Sequence, residues 1–232
     1  QGKYKEAEEL YKKALFVREE VLGENHPNIA TSYNNLAGLY EEQRQYKKAE
    51  ELYKKALFVQ EEVLGEDHPA TVISYNNLAV LYEKQGKYKE AEELYKKALS
   101  VQEEMLGKKH PDTATSYNNL ASLYKEQGKY KEAEWFYKKA LSVYEKVLGK
   151  SHLDTATSYS NLASLYMIQG KYKEAEKLCK KALSVREEVL GESHPDTMAS
   201  YHNLAILYKN QGKYKEAEEL YKKVMSIRQK VN

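Results

Sequence analysis

Between Asn28 and Gln43 the residues Ala30, Tyr33, Leu36, Ala37 and Tyr40 recur at the three- and four-residue spacing of one helical stripe, with polar side chains between them. His26-Pro27 stands immediately ahead as a helix start, so this stretch predicts an amphipathic helix, called A. After a break at Arg44-Gln45 the period returns from Tyr46 to Leu64. There Ala49, Leu52, Tyr53, Ala56, Leu57, Val63 and Leu64 form the stripe of a second helix, B. No segment alternates apolar and polar residues as a half-buried strand would.

Both stripes repeat at an offset of 42 residues, which puts His26, His68, His110, His152 and His194 in register. Tyr4, Tyr46, Tyr88, Tyr130, Tyr172 and Tyr214 likewise each open a near-copy of GKYKEAEELYKKAL. Self-similarity at a few tens of residues marks a stacked-repeat architecture, in which each unit buries its apolar face only against its neighbours. The predicted fold class is all-α: a solenoid of antiparallel helix pairs over 1–232, with a lone helix B at 1–22 followed by five A/B pairs. Gln1-Gly2-Lys3-Tyr4 is in phase with Gln85-Gly86-Lys87-Tyr88, so the array starts in mid-repeat and the chain is expected to be part of a longer protein. Leu10, Tyr11 and Leu15 of the lone first helix should then be partly uncovered, and the uncapped terminal helices offer a route to self-association.

The turns are written in glycine. Gly86, Gly128, Gly170 and Gly212 stand where helix A ends, a position that needs positive φ; Arg44 in the first copy predicts a weaker cap. Glu50 with Lys54 and Glu51 with Lys55 are spaced as i,i+4 pairs on the expected solvent face of helix B.

Composition removes most alternatives. Lys plus Arg (37) nearly balances Asp plus Glu (35), and a net charge of +2 gives no electrostatic case for nucleic acid or an anionic membrane. One cysteine, Cys179, leaves no internal disulfide; with no apolar run near membrane-spanning length and no leader-like start, the expected location is cytoplasmic. Phosphate-binding glycine loops, HExxH, CxxC and EF-hand loops are all absent, so no enzyme activity and no cofactor are expected. The in-register histidines are too far apart to share a metal, because stacked helices stand about 8–10 Å apart while zinc ligands lie within about 2 Å of the ion. They are expected to serve loops or caps. Cys179 takes the core slot held elsewhere by Tyr53, Tyr95, Tyr137 and Tyr221, which predicts a buried, unreactive thiol.

The order Tyr33, Leu36, Ala37, Tyr40, a glycine position, Tyr46, Ala49, Tyr53 and Ala56 resembles the tetratricopeptide repeat. That unit is usually about 34 residues. The longer unit here, with LG-x-x-HP ahead of YNNLA, is similar to the repeats of kinesin light chains and of related bacterial and fungal receptor-type arrays. The resemblance implies a right-handed superhelix whose inner wall is lined by one side of helix A, and a non-catalytic, protein-binding role. On that side lie Thr31, Asn34, Asn35, Gly38 and Glu41, which imply a concave groove carrying the amides Asn34, Asn35, Asn76, Asn77, Asn118, Asn119, Asn161 and Asn203. An amide both donates and accepts, so such a row suits the backbone of an extended peptide. It also suits a staple in which the second asparagine of each pair bonds to the neighbouring helix.

The slot of Glu41 and Glu83 becomes Lys125, Met167 and Lys209, so Lys125 and Lys209 are expected to form a basic part of the groove. The cations with which chaperone-binding relatives clamp a terminal carboxylate are missing at Thr31, Asn34 and Asn35. The favoured reading is a scaffold that binds a peptide or protein segment. The alternative is a structural or oligomerising spacer arm. Trp135 replaces the charged residues Glu9, Glu51, Glu93, Lys177 and Glu219 of the other copies and should be at least partly exposed beside Phe136.

Overall fold

All regular structure among the described residues, 2–23 and 25–231 of the computed structural model, is α-helical. The type-B helices are α1 (Gly2–Leu22), α3 (Tyr46–Leu64), α5 (Tyr88–Met105), α7 (Tyr130–Val147), α9 (Tyr172–Leu190) and α11 (Tyr214–Val231). The type-A helices are α2 (Pro27–Glu42), α4 (Pro69–Lys84), α6 (Pro111–Glu126), α8 (Leu153–Ile168) and α10 (Pro195–Asn210). Helix α3 has the limits that its periodicity predicts, whereas α2 starts and ends one residue earlier than Asn28 to Gln43. The shift has a local cause. Proline is already set for the first helical position, and the His26 imidazole takes the cap by accepting from the Asn28 backbone N–H at 3.2 Å.

Two compact helical units divide the chain, Gln1–Gly107 and Lys108–Asn232. Within the first, α2 packs on α1 and α3, and α4 on α3 and α5; within the second, α6 packs on α7, α8 on α7 and α9, and α10 on α9 and α11. Each is a short solenoid in which a helix A lies against helices of type B. Ala30, Ala37, Ala49 and Ala56 are fully buried, and their small side chains let the backbones approach. Tyr75, Tyr117, Tyr159 and Tyr201 fill the spaces between helices and are at most 2% exposed.

A buried phenol needs a partner for its hydroxyl. The Tyr33 hydroxyl donates to Glu19 at 2.8 Å and that of Tyr75 to Glu61 at 2.5 Å; Tyr159 and Tyr201 make the same bond to Glu145 and Glu187. In each case the carboxylate belongs to the preceding helix B, so the bond joins consecutive repeats. Lys97 closes one such site by donating to Glu61 at 3.0 Å while its ammonium sits 4.7 Å from the centre of the Tyr75 ring. Burial, then the neighbouring Glu61 carboxylate, pushes the Tyr75 phenol up to about 12.

A second set of bonds corrects the expected position of Glu50. It is not a solvent-face residue: Lys54 reaches it at 2.7 Å along the helix, but Lys87 at 2.8 Å and Gln85 at 3.2 Å reach it from the next repeat. Glu134 receives Lys138 and Lys171, and Glu176 receives Lys180, Lys213 and Gln211, in the same way. Lys55 lies over the Tyr33 ring at 5.8 Å instead of forming the expected pair with Glu51. Burial opposes the charge of Glu50 and of Glu134, yet their lysine donors outweigh it and hold both carboxyls at about 2; Lys180 leads in doing the same for Glu176.

Exposed apolar side chains collect on α1. Leu10 (61%), Phe16, Val17 and Val21 face solvent and Tyr11 is also exposed, while Leu15 packs against the cluster of Ile29, Ala30, Tyr33, Ala56 and Val59. This agrees with the expected uncovering of the first helix.

At the ends of the A helices Gly86, Gly128, Gly170 and Gly212 take φ between 71° and 77°, and Arg44 adopts φ 59° in the same bond pattern, with the Gln45 N–H on the Tyr40 carbonyl at 2.8 Å. Open space surrounds a Cβ at Gly86, so the backbone angle alone selects glycine. Arg44→Gly is expected to stabilise the protein by about 1 kcal/mol, read as a higher urea midpoint at unchanged slope. Acid should act through the lysine-held carboxylates. Their pKa is lowered from 4.5 to about 2, so their contribution is complete above about pH 4.5 and is lost as the pH falls towards 2. Combining Glu50→Gln, Glu134→Gln and Glu176→Gln should lower the urea midpoint at pH 7 and flatten its decline between about pH 4.5 and 2.

Candidate functional site

On α2 the side opposite Tyr33, Leu36, Ala37 and Tyr40 carries Thr31 and Asn35, both exposed, with Asn34, Gly38 and Glu41 half-buried. Asn34 and Asn35 therefore differ. Asn34 Nδ2 donates to the Ser74 hydroxyl on α4 at 2.8 Å, and Asn76 Nδ2 donates to the Val72 carbonyl of its own helix at 3.1 Å. At the first pair the bond to the neighbouring helix A is made by Asn34 while Asn35 turns to solvent, because adjacent helical positions point about 100° apart. Asn35 and Asn203 are exposed, and Asn77, Asn119 and Asn161 are partly accessible. Asn118, also half-buried, has its Oδ1 buried without a hydrogen-bond partner, as has Asn34.

One position escaped the periodicity reading. The helix-B slot occupied by Arg18, Gln60, Gln102, Tyr144, Arg186 and Arg228 borders the apolar stripe, and several of its side chains reach polar residues of helix A. Arg18 donates to the Ser32 hydroxyl at 2.5 Å, and the Tyr144 hydroxyl meets that of Thr115 at 2.8 Å. Arg186 donates to Ser160 at 3.2 Å and Thr157 at 3.2 Å on α8, and to Ser200 at 2.6 Å on α10. Burial pulls its pKa down, although arginine stays a cation. The only signal in sequence was a long polar residue, changing type from copy to copy, at the edge of the core stripe.

The slot of Glu41 is less acidic than its residues suggest. Tyr53 donates to Glu41 at 2.9 Å and Lys84 at 2.5 Å, while Tyr95 donates to Glu83 at 3.2 Å. Both phenols are pushed up, by burial first and then by these carboxylates. In the second unit Lys125 is half-buried and 3.4 Å from Glu126, and Lys209 is exposed.

The histidines are caps. Nδ1 of His68, His110, His152 and His194 accepts from the backbone N–H of Ala70, Asp112, Asp154 and Asp196 at 3.1 to 3.2 Å, which places the proton of the neutral ring on Nε2. Among the described residues no three His, Cys, Asp or Glu side chains gather as a metal site, and no helix is long and apolar enough to cross a membrane. Cys179 is 6% exposed, and burial, with Glu176 adding, pushes its thiol up to about 11. His202 lies edge-on to Tyr221, with ring centres 5.7 Å apart.

Comparison with known proteins agrees with this architecture. The family profile described as "Tetratricopeptide repeat" matches residues 1–59, 46–104, 74–146, 112–166 and 154–230. A crystal structure from Podosopora anserina, assigned as a kinesin light chain with nearly identical TPR-like repeats, is 30% identical, covering 89% of this chain and 98% of that one at a TM-score of 0.73. BtubC (BKLC) from P. vanneervenii is 26% identical over 100% of this chain and 90% of that one, at a TM-score of 0.76. MamA, at 19% identity, 87% and 92% coverage and a TM-score of 0.53, shares the fold. No curated protein sequence matches.

Trp135 is 56% exposed, with its ring edge-on to Phe136 at 4.6 Å and the Lys139 ammonium 4.9 Å from its centre. Its fluorescence should be that of a solvated indole and be quenched by iodide. Trp135→Glu, which restores the residue of most other copies, should change stability by no more than about 0.5 kcal/mol. Blue-shifted emission resistant to iodide would contradict this placement.

Proposed function

The chain belongs to the tetratricopeptide repeat family, whose repeats mediate protein–protein interaction, and from that premise we propose that it is a scaffold binding an extended protein segment along the exposed side of its A helices. The observation supporting this reading is an amide left at least partly accessible at the same position of every helix A. Asn34 is drawn to Ser74 of the next helix A while Asn35 stays exposed, and Asn77 in the same unit and Asn119, Asn161 and Asn203 in the other keep part of their surface accessible. Amides regularly presented beside a rigid core suit main-chain donors and acceptors, so affinity would depend little on the ligand's sequence.

Charge would supply the selectivity. Glu41 and Glu83 already accept from tyrosines, and Glu41 from a lysine as well, while the cations Lys125 and Lys209 favour acidic segments in the second unit. A net charge of +2 supports a protein ligand over nucleic acid or an anionic membrane, and the proposed location is cytoplasmic. No catalytic step forms part of the proposal.

Replacing Asn77, Asn119 and Asn161 together by alanine is the direct test. Each lost amide contact costs on the order of 1 kcal/mol, so affinity for an extended peptide found in an array screen should fall by roughly a hundredfold while helicity is kept. Lys125→Glu with Lys209→Glu should discriminate against acidic peptides, and more strongly at low salt. A triple variant that unfolds instead of losing ligand would favour the spacer-arm reading.

A further inference from the structure

Five of the six copies of helix B carry tyrosine at the slot of Tyr53, and in the first unit the phenols of Tyr53 and Tyr95 cross to helix A. The Tyr53 hydroxyl bonds to Glu41 at 2.9 Å and lies 3.6 Å from where a Cβ on Gly38 would stand. In the second unit the glutamate slot holds Lys125, Met167 and Lys209, and at one repeat the tyrosine is lost as well. At α8 and α9 the tyrosine slot is Cys179 and the glutamate slot is Met167, so a hydrogen-bonded pair is replaced by two apolar side chains, one of them much shorter.

Nothing refills the space. A hollow of about 130 Å³ remains, lined by Ser160, Ser164 and Met167 of α8, Cys179 of α9, and Ser200 and Asn203 of α10 among others. Ser164 and Met167 occupy the slots of Gly38 and Glu41, so the hollow opens on the same side of helix A as the accessible asparagines. An engineered cavity of roughly 150 Å³ takes up a benzene, so one aromatic ring is the matching occupant in size. The walls here are amphipathic, with three serine hydroxyls and an amide beside the thioether and thiol.

The walls are also held apart. The Arg186 guanidinium bonds to Ser160 on one side and Ser200 on the other, at 3.2 and 2.6 Å, spanning α8 and α10 across the space. A pocket preorganised in this way loses little entropy on filling. The geometry points to a specificity pocket for a phenol: the ring of a tyrosine on a bound peptide enters between α8, α9 and α10, as the chain's own tyrosine does in the other repeats, and a serine or Asn203 meets its hydroxyl. This rests on the groove reading above and adds a residue preference at one repeat.

Two probes separate the pocket from the groove. p-Cresol titrated into the whole chain should give saturable NMR shifts and slow the modification of Cys179, the single thiol, by methyl methanethiosulfonate. Acetyl-Gly-Tyr-Gly-amide should bind about tenfold more tightly than acetyl-Gly-Ala-Gly-amide. Cys179→Tyr combined with Met167→Glu installs the pair that the first unit has at Tyr53 and Glu41 and at Tyr95 and Glu83. It should raise the thermal midpoint by about 2–4 °C and abolish both p-cresol binding and the tyrosine preference. Cys179→Phe fills the space without needing a hydroxyl partner and should do the same if the double variant folds poorly.

Absence of both p-cresol shifts and thiol protection in the wild type would overturn the pocket. Equal binding of the two peptides, unchanged by filling, would overturn it while leaving the groove reading intact. Uptake of p-cresol with no binding of either peptide would overturn the peptide-borne occupant and count against the groove reading as well.

Discussion

Joining one repeat to the next depends on a tyrosine that is buried between helices and still has to satisfy its hydroxyl. Apolar packing of small side chains such as alanine fixes register less sharply than a directional bond between buried groups does. A phenol such as Tyr75, fully buried and bonded to Glu61 of the preceding helix, allows only one alignment. The bond recurs from Tyr33 to Glu19, from Tyr159 to Glu145 and from Tyr201 to Glu187. Breaking one would leave a buried polar group without a partner, a cost on the order of 1–3 kcal/mol at a single interface.

The lysine-held glutamates reinforce this near the other end of helix B. Glu50 collects Lys54 from its own helix and Lys87 and Gln85 from the next repeat, so an ion pair that would contribute little on an open surface becomes a hub between units. With both sides of the repeat committed to its neighbours, the one side of helix A left over is the side that holds Thr31, Asn35 and the pocket residues Ser164 and Met167. The surface proposed for a ligand is what remains after stacking. Its chemistry changes from copy to copy, from Glu41 to Lys125 to Met167, and at Met167 the change leaves a hollow beside Cys179.

Much of the fold was legible because its signals are local. The three-and-four spacing of Ala49, Leu52, Tyr53 and Ala56 determined α3 to its limits, the 42-residue offset determined the helix order, and the glycines of positive φ marked the turns. The core assignment of Cys179 and the exposure of Trp135 followed from comparing one copy with the others. Such comparisons need only that equivalent positions share an environment, which a repeat enforces.

Other features required distances between helices. Asn34 and Asn35 are the same residue type side by side, and only the position of Ser74 on the next helix A makes the first a staple and leaves the second accessible. Glu50 has its i,i+4 partner in the sequence, but its bonds to Gln85 and Lys87 arise from the way a loop 35 to 37 residues later is brought beside it. The bridge made by Arg186 and the hollow beside Cys179 are of the same kind, since each depends on the spacing of α8, α9 and α10. Sequence by itself determined the helices, their period and their buried stripes, because backbone hydrogen bonding and hydrophobic periodicity act within a few residues. Tertiary structure alone decided which polar groups are used up in stacking and which remain accessible, because that choice is made between side chains tens of residues apart.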